Sequence, residues 1–197
     1  MFERPLVYAG IGSRKADPRI QWATICLSRW LSQQGWWLRT GGAAGMDEWF
    51  ARGAETRDPD EPPRRMVYLP WNGFRGWMNP AHCYTPEGEE MDALTGVAAA
   101  LHPNWGAVKA EHRPLHARNA AILLGRNLRS PVEAVICWTP GGEVQGGTGM
   151  GIRIAQAYGI PVHNLAVESF DTVRFRMAEH GMARRGYGVR AGPGVSV

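Results

Sequence analysis

Long apolar runs are missing: no stretch of the 197 residues approaches the roughly 18 that a membrane-crossing helix needs. This excludes a bilayer-spanning helix. The opening Met1-Phe2-Glu3-Arg4-Pro5 also lacks the apolar centre of a secretory leader, so the expected location is the cytoplasm, with no membrane partner. Cysteine is scarce, with Cys26, Cys83 and Cys137 far apart and odd in number. That excludes a disulfide framework, and without a Cys-x-x-Cys or His-Glu-x-x-His there is no metal centre to expect. The three cysteines read as free thiols. Charge excess is small too: 22 Lys and Arg against 18 Asp and Glu leave +4, which suits an anionic ligand but excludes the dense positive charge of a histone-like DNA binder.

Glycine, by contrast, is abundant, and it recurs where strand patterns turn into helical ones. Six glycines lie between Gly141 and Gly151, joining the apolar run Ala134–Trp138, a buried strand, to a helical pattern from Met150 to Tyr158. A helix start leaves backbone N–H groups unpaired at the positive end of the helix dipole, and glycine lets a phosphate approach them closely. The arrangement occurs twice more upstream. Leu6–Ala9 predicts a strand running into Gly10-Ile11-Gly12-Ser13-Arg14; Asp17-Pro18 then opens a helix with Ile20, Ala23, Leu27, Trp30 and Leu31 at helical spacing, closed by Gly35. Trp36–Thr40 predicts a second strand, after which Gly41-Gly42-Ala43-Ala44-Gly45-Met46-Asp47 opens a helix through Phe50, Ala51 and Ala54. Met66–Leu69 reads as a third strand.

The connection from Pro70 to His112 is long and aromatic, with Trp71, Phe74, Trp77, Tyr84 and Trp105, and it predicts one helix over Pro86–Leu101. A connection of this length is usually functional or disordered. Its aromatic content argues against disorder and for either a wall or lid or a cover on the sheet edge. A helix over Pro114–Gly125, a last strand over Ile160–Leu165 and a closing helix over Ser169–His180 follow, the last with Phe170, Val173 and Met177 inward. Residues 181–197, with Arg184, Arg185 and Arg190 among glycines, read as a mobile basic tail after one domain spanning 1–180. Alternating strands and helices predict an α/β fold: a Rossmann-like, doubly wound, mainly parallel sheet with helices on both faces. All three glycine loops then meet in one crevice at the carboxyl ends of the strands.

The expected ligand residues are Gly10, Gly12, Ser13 and Arg14 of the first loop, Thr40, Gly41, Gly42, Gly45 and Asp47 of the second, and Thr139, Gly146, Gly147, Thr148 and Gly149 of the third. Ser13 and Arg14 either hold a phosphate or serve as a capping serine and a solvated arginine. Asp47 either caps its helix or reaches a ribose hydroxyl, and Thr148 is an N-cap, a phosphate hydroxyl or both. Arg118 and Asn119 border the inward apolar stripe of their helix; left unbonded, each buried group would cost about 1–3 kcal/mol, so they bond either to neighbouring loops or to a ligand. Histidines 82, 102, 112 and 116 have no metal-like spacing and stay unassigned. The weak catalytic candidates are the carboxylates of Glu143 and Asp47.

Gly12-Ser13-Arg14, the second loop with Gly53-Ala54, Arg118-Asn119 and Gly146-Gly147-Thr148-Gly149 follow one another over most of residues 5–166 in a way that resembles the DNA processing protein A family. That family lies within the SLOG superfamily, and the chain is more distantly similar to the LOG phosphoribohydrolases. Two departures are visible. Arg118-Asn119-Ala120 stands where DNA processing protein A chains usually read Arg-Asn-Arg, and Met150-Gly151 occupies the place of the LOG catalytic glutamate. The resemblance implies a nucleotide, cyclic nucleotide or oligonucleotide on the loops, no other cofactor, and three functions to weigh. The first is a nucleotide-binding protein, of the kind a phage or mobile element would use to sense or sequester a signal. The second is a single-stranded DNA-binding recombination accessory. The third is a nucleotide N-glycosidase, in which Glu143 or Asp47 would supply the carboxylate. Binding is favoured over turnover, and a homo-oligomer is left open.

Overall fold

A computed structural model describes residues 5–56, 60–78 and 81–186. Six strands form one sheet: β1 (Val7–Gly12), β2 (Trp37–Thr40), β3 (Arg65–Tyr68), β4 (Cys83–Tyr84), β5 (Ala134–Trp138) and β6 (Val162–Asn164). Their spatial order is β4-β3-β2-β1-β5-β6, and every neighbouring pair is parallel. Chain order reverses between β1 and β5, so the crevice of the sheet opens beyond Gly12 and Trp138, which are partners in that pairing. The six α-helices are α1 (Gln21–Gln33), α2 (Met46–Gly53), α3 (Gly88–Leu101), α4 (Arg113–Leu124), α5 (Gly146–Ala157) and α6 (Phe170–Arg184).

Both faces of the sheet are buried, and the alternation of side chains along each strand divides the core in two. Val7, Ala9, Ile11, Val135 and Cys137 pack under α3, α4 and α5, while Tyr8, Leu38, Ala134 and Ile136 pack under α1, α2 and α6. Helix α4 is buried from Ala117 through Leu124, on every side, because α3 and α5 flank it above the sheet. Burial on the second face requires the Tyr8 hydroxyl to find a partner. It donates to Ser28 Oγ at 2.9 Å, and Ser28 in turn donates to the Phe50 carbonyl at 2.7 Å.

Several boundaries differ from expectation for local reasons. Asp17 caps a short 3-10 turn, Pro18–Ile20, that leads into α1. The third glycine loop is shorter than its composition suggests, because α5 starts at Gly146 and takes the Gly146–Gly149 segment as its first turn. Strand β4 has two residues, too few to leave a periodic signal. Helix α6 runs on to Arg184, where Arg184 and His180 both reach Glu133, at 2.9 and 3.1 Å. The remainder of the expected tail, 187–197 with Arg190, lies outside the described residues.

Helices α1 and α2 touch closely at Gly53, where a β-carbon would sit 2.5 Å from both the Ile25 carbonyl oxygen and Ser28 Cβ. Gly53→Ala is therefore expected to force the helices apart and lower the urea unfolding free energy by about 1–3 kcal/mol.

Candidate functional site

Three strand ends deliver the expected loops to one edge, but α2 and α4 decide which of their residues face outward. Gly10 and Gly12 accommodate α2: β-carbons there would meet the Phe50 ring at 2.6 Å and Met46 Cγ at 2.5 Å. Gly45, at φ 78°, passes so near the first loop that a β-carbon would lie 2.7 Å from the Ser13 carbonyl oxygen. Thr40 is fully buried and donates to the Gly10 carbonyl at 2.7 Å. These residues hold the first two loops together; Gly10 and Thr40 are buried, and Gly12 and Gly45 are half-buried.

Asp47 is 2% exposed in the first turn of α2, whose N-cap position is Gly45. Its carboxylate accepts the Gly12 N–H at 3.1 Å and the Ala43 N–H at 3.4 Å, and Arg118 Nη2 lies 4.0 Å away. Burial pushes the Asp47 pKa up, against the opposing pull of Arg118 and these backbone donors. Arg118 is 8% exposed. Its Nη1 donates to the Gly41 carbonyl at 2.6 Å and its Nη2 to Asn119 Oδ1 at 3.4 Å. Burial pushes the guanidinium pKa down; Asp47 resists this, and the neighbouring Arg14 adds to it. Asn119 Nδ2 completes the chain by donating to the Gly147 carbonyl at 2.9 Å. Asp47, Arg118 and Asn119 thus tie all three loops to one another from beneath. Buried Arg118 Nε has no hydrogen-bond partner among the described residues.

The third loop is open where the others are closed. Helix α5 has Gln145 at its N-cap with no side-chain cap, and Thr148 lies inside the first turn. Gly149 is packed against Val144, whose carbonyl carbon would lie 2.7 Å from a β-carbon. Gly146 and Gly147 are exposed, with no described atom within 4 Å of where their β-carbons would be, and Ser13, Arg14 and Thr148 complete the accessible rim. Thr139 faces away: it is 1% exposed and bonded through its hydroxyl to Asn164 Nδ2 at 2.7 Å, tying β5 to β6. Glu143 is exposed in the turn after Pro140–Gly142.

Sequence patterns did not single out what lies against the second loop. Trp77 Nε1 donates to the Gly42 carbonyl at 3.1 Å, and the Phe74 ring sits 5.9 Å from the Arg118 guanidinium carbon. Trp71, 45% exposed, meets Phe74 edge-to-face at 5.1 Å. The only signal for this was the aromatic content of the connection. Of the histidines, His102 and His116 meet at 4.9 Å beside Trp105, and the buried Nδ1 of His116 has no partner. No group of three or more His, Cys, Asp or Glu among the described residues could hold a metal.

No protein-family profile matches the chain, and no curated protein matches it. Among solved structures it is similar to DNA processing protein A from Helicobacter pylori, with TM-score 0.53 and 18% identity over 88% of this chain and 73% of that one. The chain has a Rossmann fold like that of DNA processing protein A. The Helicobacter protein was solved to show how it binds single-stranded DNA. The molybdenum cofactor carrier protein of Chlamydomonas reinhardtii also matches, at TM-score 0.37 and 13% identity over 89% of this chain and 99% of that one, too low to carry an argument.

Burial, reinforced by His102, His112 and Arg118, holds the His116 pKa below the ordinary value of 6.5. A proton is then bound more readily by the unfolded chain, so this residue's contribution to stability is present above pH 6.5 and lost as pH falls through the lower folded value. His116→Gln should flatten the loss of unfolding free energy between neutral and mildly acidic pH, as measured by urea titration.

Proposed function

We propose that this chain binds a phosphate-bearing nucleotide ligand on the rim formed by Ser13, Arg14 and the first turn of α5. The observation that carries the reading is Gly147. The other glycines of the three loops are accounted for by close packing of the protein's own atoms or by positive φ, but Gly147 has neither reason, and nothing lies within 4 Å of where its β-carbon would be. A missing side chain beside uncapped first-turn N–H groups leaves room for an anion to reach them. Arg14 on the rim and Arg118 buried beneath it supply further positive potential. Asp47 has both oxygens engaged by backbone N–H groups and Glu143 lies in an exposed turn, so neither is held against a sugar; this favours binding over turnover.

A second reading, a longer single-stranded ligand, is favoured by Trp71 and Phe74. An exposed aromatic ring next to cations is a surface on which successive bases stack. The loop after β3 lies two strands from β1, about 10 Å away, and three from β5, about 14 Å, more than one nucleotide covers comfortably. Similarity of fold to DNA processing protein A is consistent with this reading.

Titration calorimetry with nucleoside monophosphates and short oligonucleotides tests both. Arg14→Ala should weaken binding by about 1.5–3 kcal/mol, whereas Gly147→Ala should hold or raise the unfolding midpoint, as alanine favours the helix, and still reduce affinity. Affinity that is indifferent to both substitutions overturns the rim as the site. Trp71→Ala should cost about 1–3 kcal/mol with oligonucleotides and leave monophosphates unaffected if bases stack there. Chromatography of the same mixtures should show no free base; release abolished by Glu143→Gln would make the chain a glycosidase instead.

A further inference from the structure

Residues 70–78, which follow β3, cross the second glycine loop and hold to it by two rings. The Trp77 indole donates to the Gly42 carbonyl at 3.1 Å, and its ring centre stands 5.6 Å from the Arg65 guanidinium carbon. The Phe74 ring stands 5.9 Å from that of Arg118. Gly42 is buried beneath Trp77, since a β-carbon there would lie 2.8 Å from the indole nitrogen. The rest of the segment is loosely held. Trp71, Asn72, Arg75, Gly76 and Met78 are exposed, and no described atom lies within 4 Å of where β-carbons on Gly73 and Gly76 would be.

What the two rings cover is unsatisfied. Arg65 and Arg118 each carry a buried Nε with no hydrogen-bond partner among the described residues. Arg65 Nη1 donates to the Ala51 carbonyl at 2.7 Å and to Glu55 at 3.0 Å, and Arg118 Nη1 donates to the Gly41 carbonyl at 2.6 Å. The Nε–H of each is thus removed from water with no bond in exchange, which weighs against the closed position. Backbone geometry weighs the same way: Arg75 has φ 52° and ψ 30°, a left-handed conformation uncommon outside glycine, between Gly73 at φ 74° and Gly76 at φ 79°. One hydrogen bond and two weak cation–ring contacts therefore oppose two orphaned donors and a strained turn.

We propose that residues 70–78 are a hinged cover, in exchange between this closed position and an open one that uncovers Gly42 and admits water to Arg65 and Arg118. The left-handed stretch Gly73–Gly76 takes up the change in backbone direction. Gly45 of the covered loop passes directly beside Ser13, so the cover sets how much of the second loop a ligand on the neighbouring rim can reach. It rests on contacts within the chain alone and stands whether or not the rim holds phosphate.

Nuclear magnetic relaxation dispersion on isotope-labelled full chain tests this, with the Trp77 indole N–H identified among nine tryptophans by its loss in Trp77→Phe. The Trp77 indole and the amides of Gly41, Gly42 and Phe74 should share one exchange rate on the microsecond-to-millisecond scale, and the amides of β5 should show none. Trp77→Phe keeps a ring and removes the donor, so the open population read at Gly42 should rise roughly twofold to tenfold. Arg75→Asn, better suited to the left-handed region, should lower it. Different rates for the segment and the second loop, or a population indifferent to either substitution, overturn the cover. Flat profiles together with a Trp77 indole N–H that exchanges for deuterium as slowly as the β5 amides overturn it as well. None of these results depends on nucleotide binding at the rim.

Discussion

Everything at the loop edge of this fold rests on a buried guanidinium held by one carboxylate and two carbonyl groups. Removing Arg118 from water is tolerable only because Asp47 stands 4.0 Å away and the Gly41 and Asn119 oxygens accept its protons. Asp47 in turn has to be reached by the Gly12 and Ala43 N–H groups. Three loops from distant parts of the chain are thereby fixed relative to one another before any ligand arrives. Such a support removes most of the ordering penalty from binding, since the rim it carries need not be assembled around the ligand.

The support also explains why so many residues that look like ligand contacts are covered. Glycine is needed wherever α2 and α4 press onto the strand ends, and at Gly10, Gly12 and Gly45 the pressing atoms belong to the protein. What remains outward is small: one arginine, two oxygen-bearing side chains and an uncapped helix start. Position at the reversal of strand order, between β1 and β5, concentrates these on one opening.

The fold class was legible because β1 and β5 carry apolar residues on both faces, which is how a doubly covered parallel strand reads. The start of α5 was not, since Gly146, Gly147 and Gly149 lower helix propensity so far that local pattern ends the loop four residues late. Arg118 and Asn119 were recognisable as polar residues needing partners, but not which partners: Gly41 is 77 positions away and Gly147 is 28. Thr139 looked like part of the loop, and its turn toward Asn164 depends on β6, which composition does not locate beside it.

The central place of β1 also has a consequence in time. A chain made from its N-terminus can pair β1 with β2 and β2 with β3 early, but the other edge of β1 finds its partner only when Ala134–Trp138 has been made. Over that interval Val7–Gly12 presents an apolar strand with unpaired backbone groups, a template for the wrong neighbour. Synthesis therefore passes through its most aggregation-prone stage with more than half the residues already in place, and a chaperone that shields one strand edge would act there.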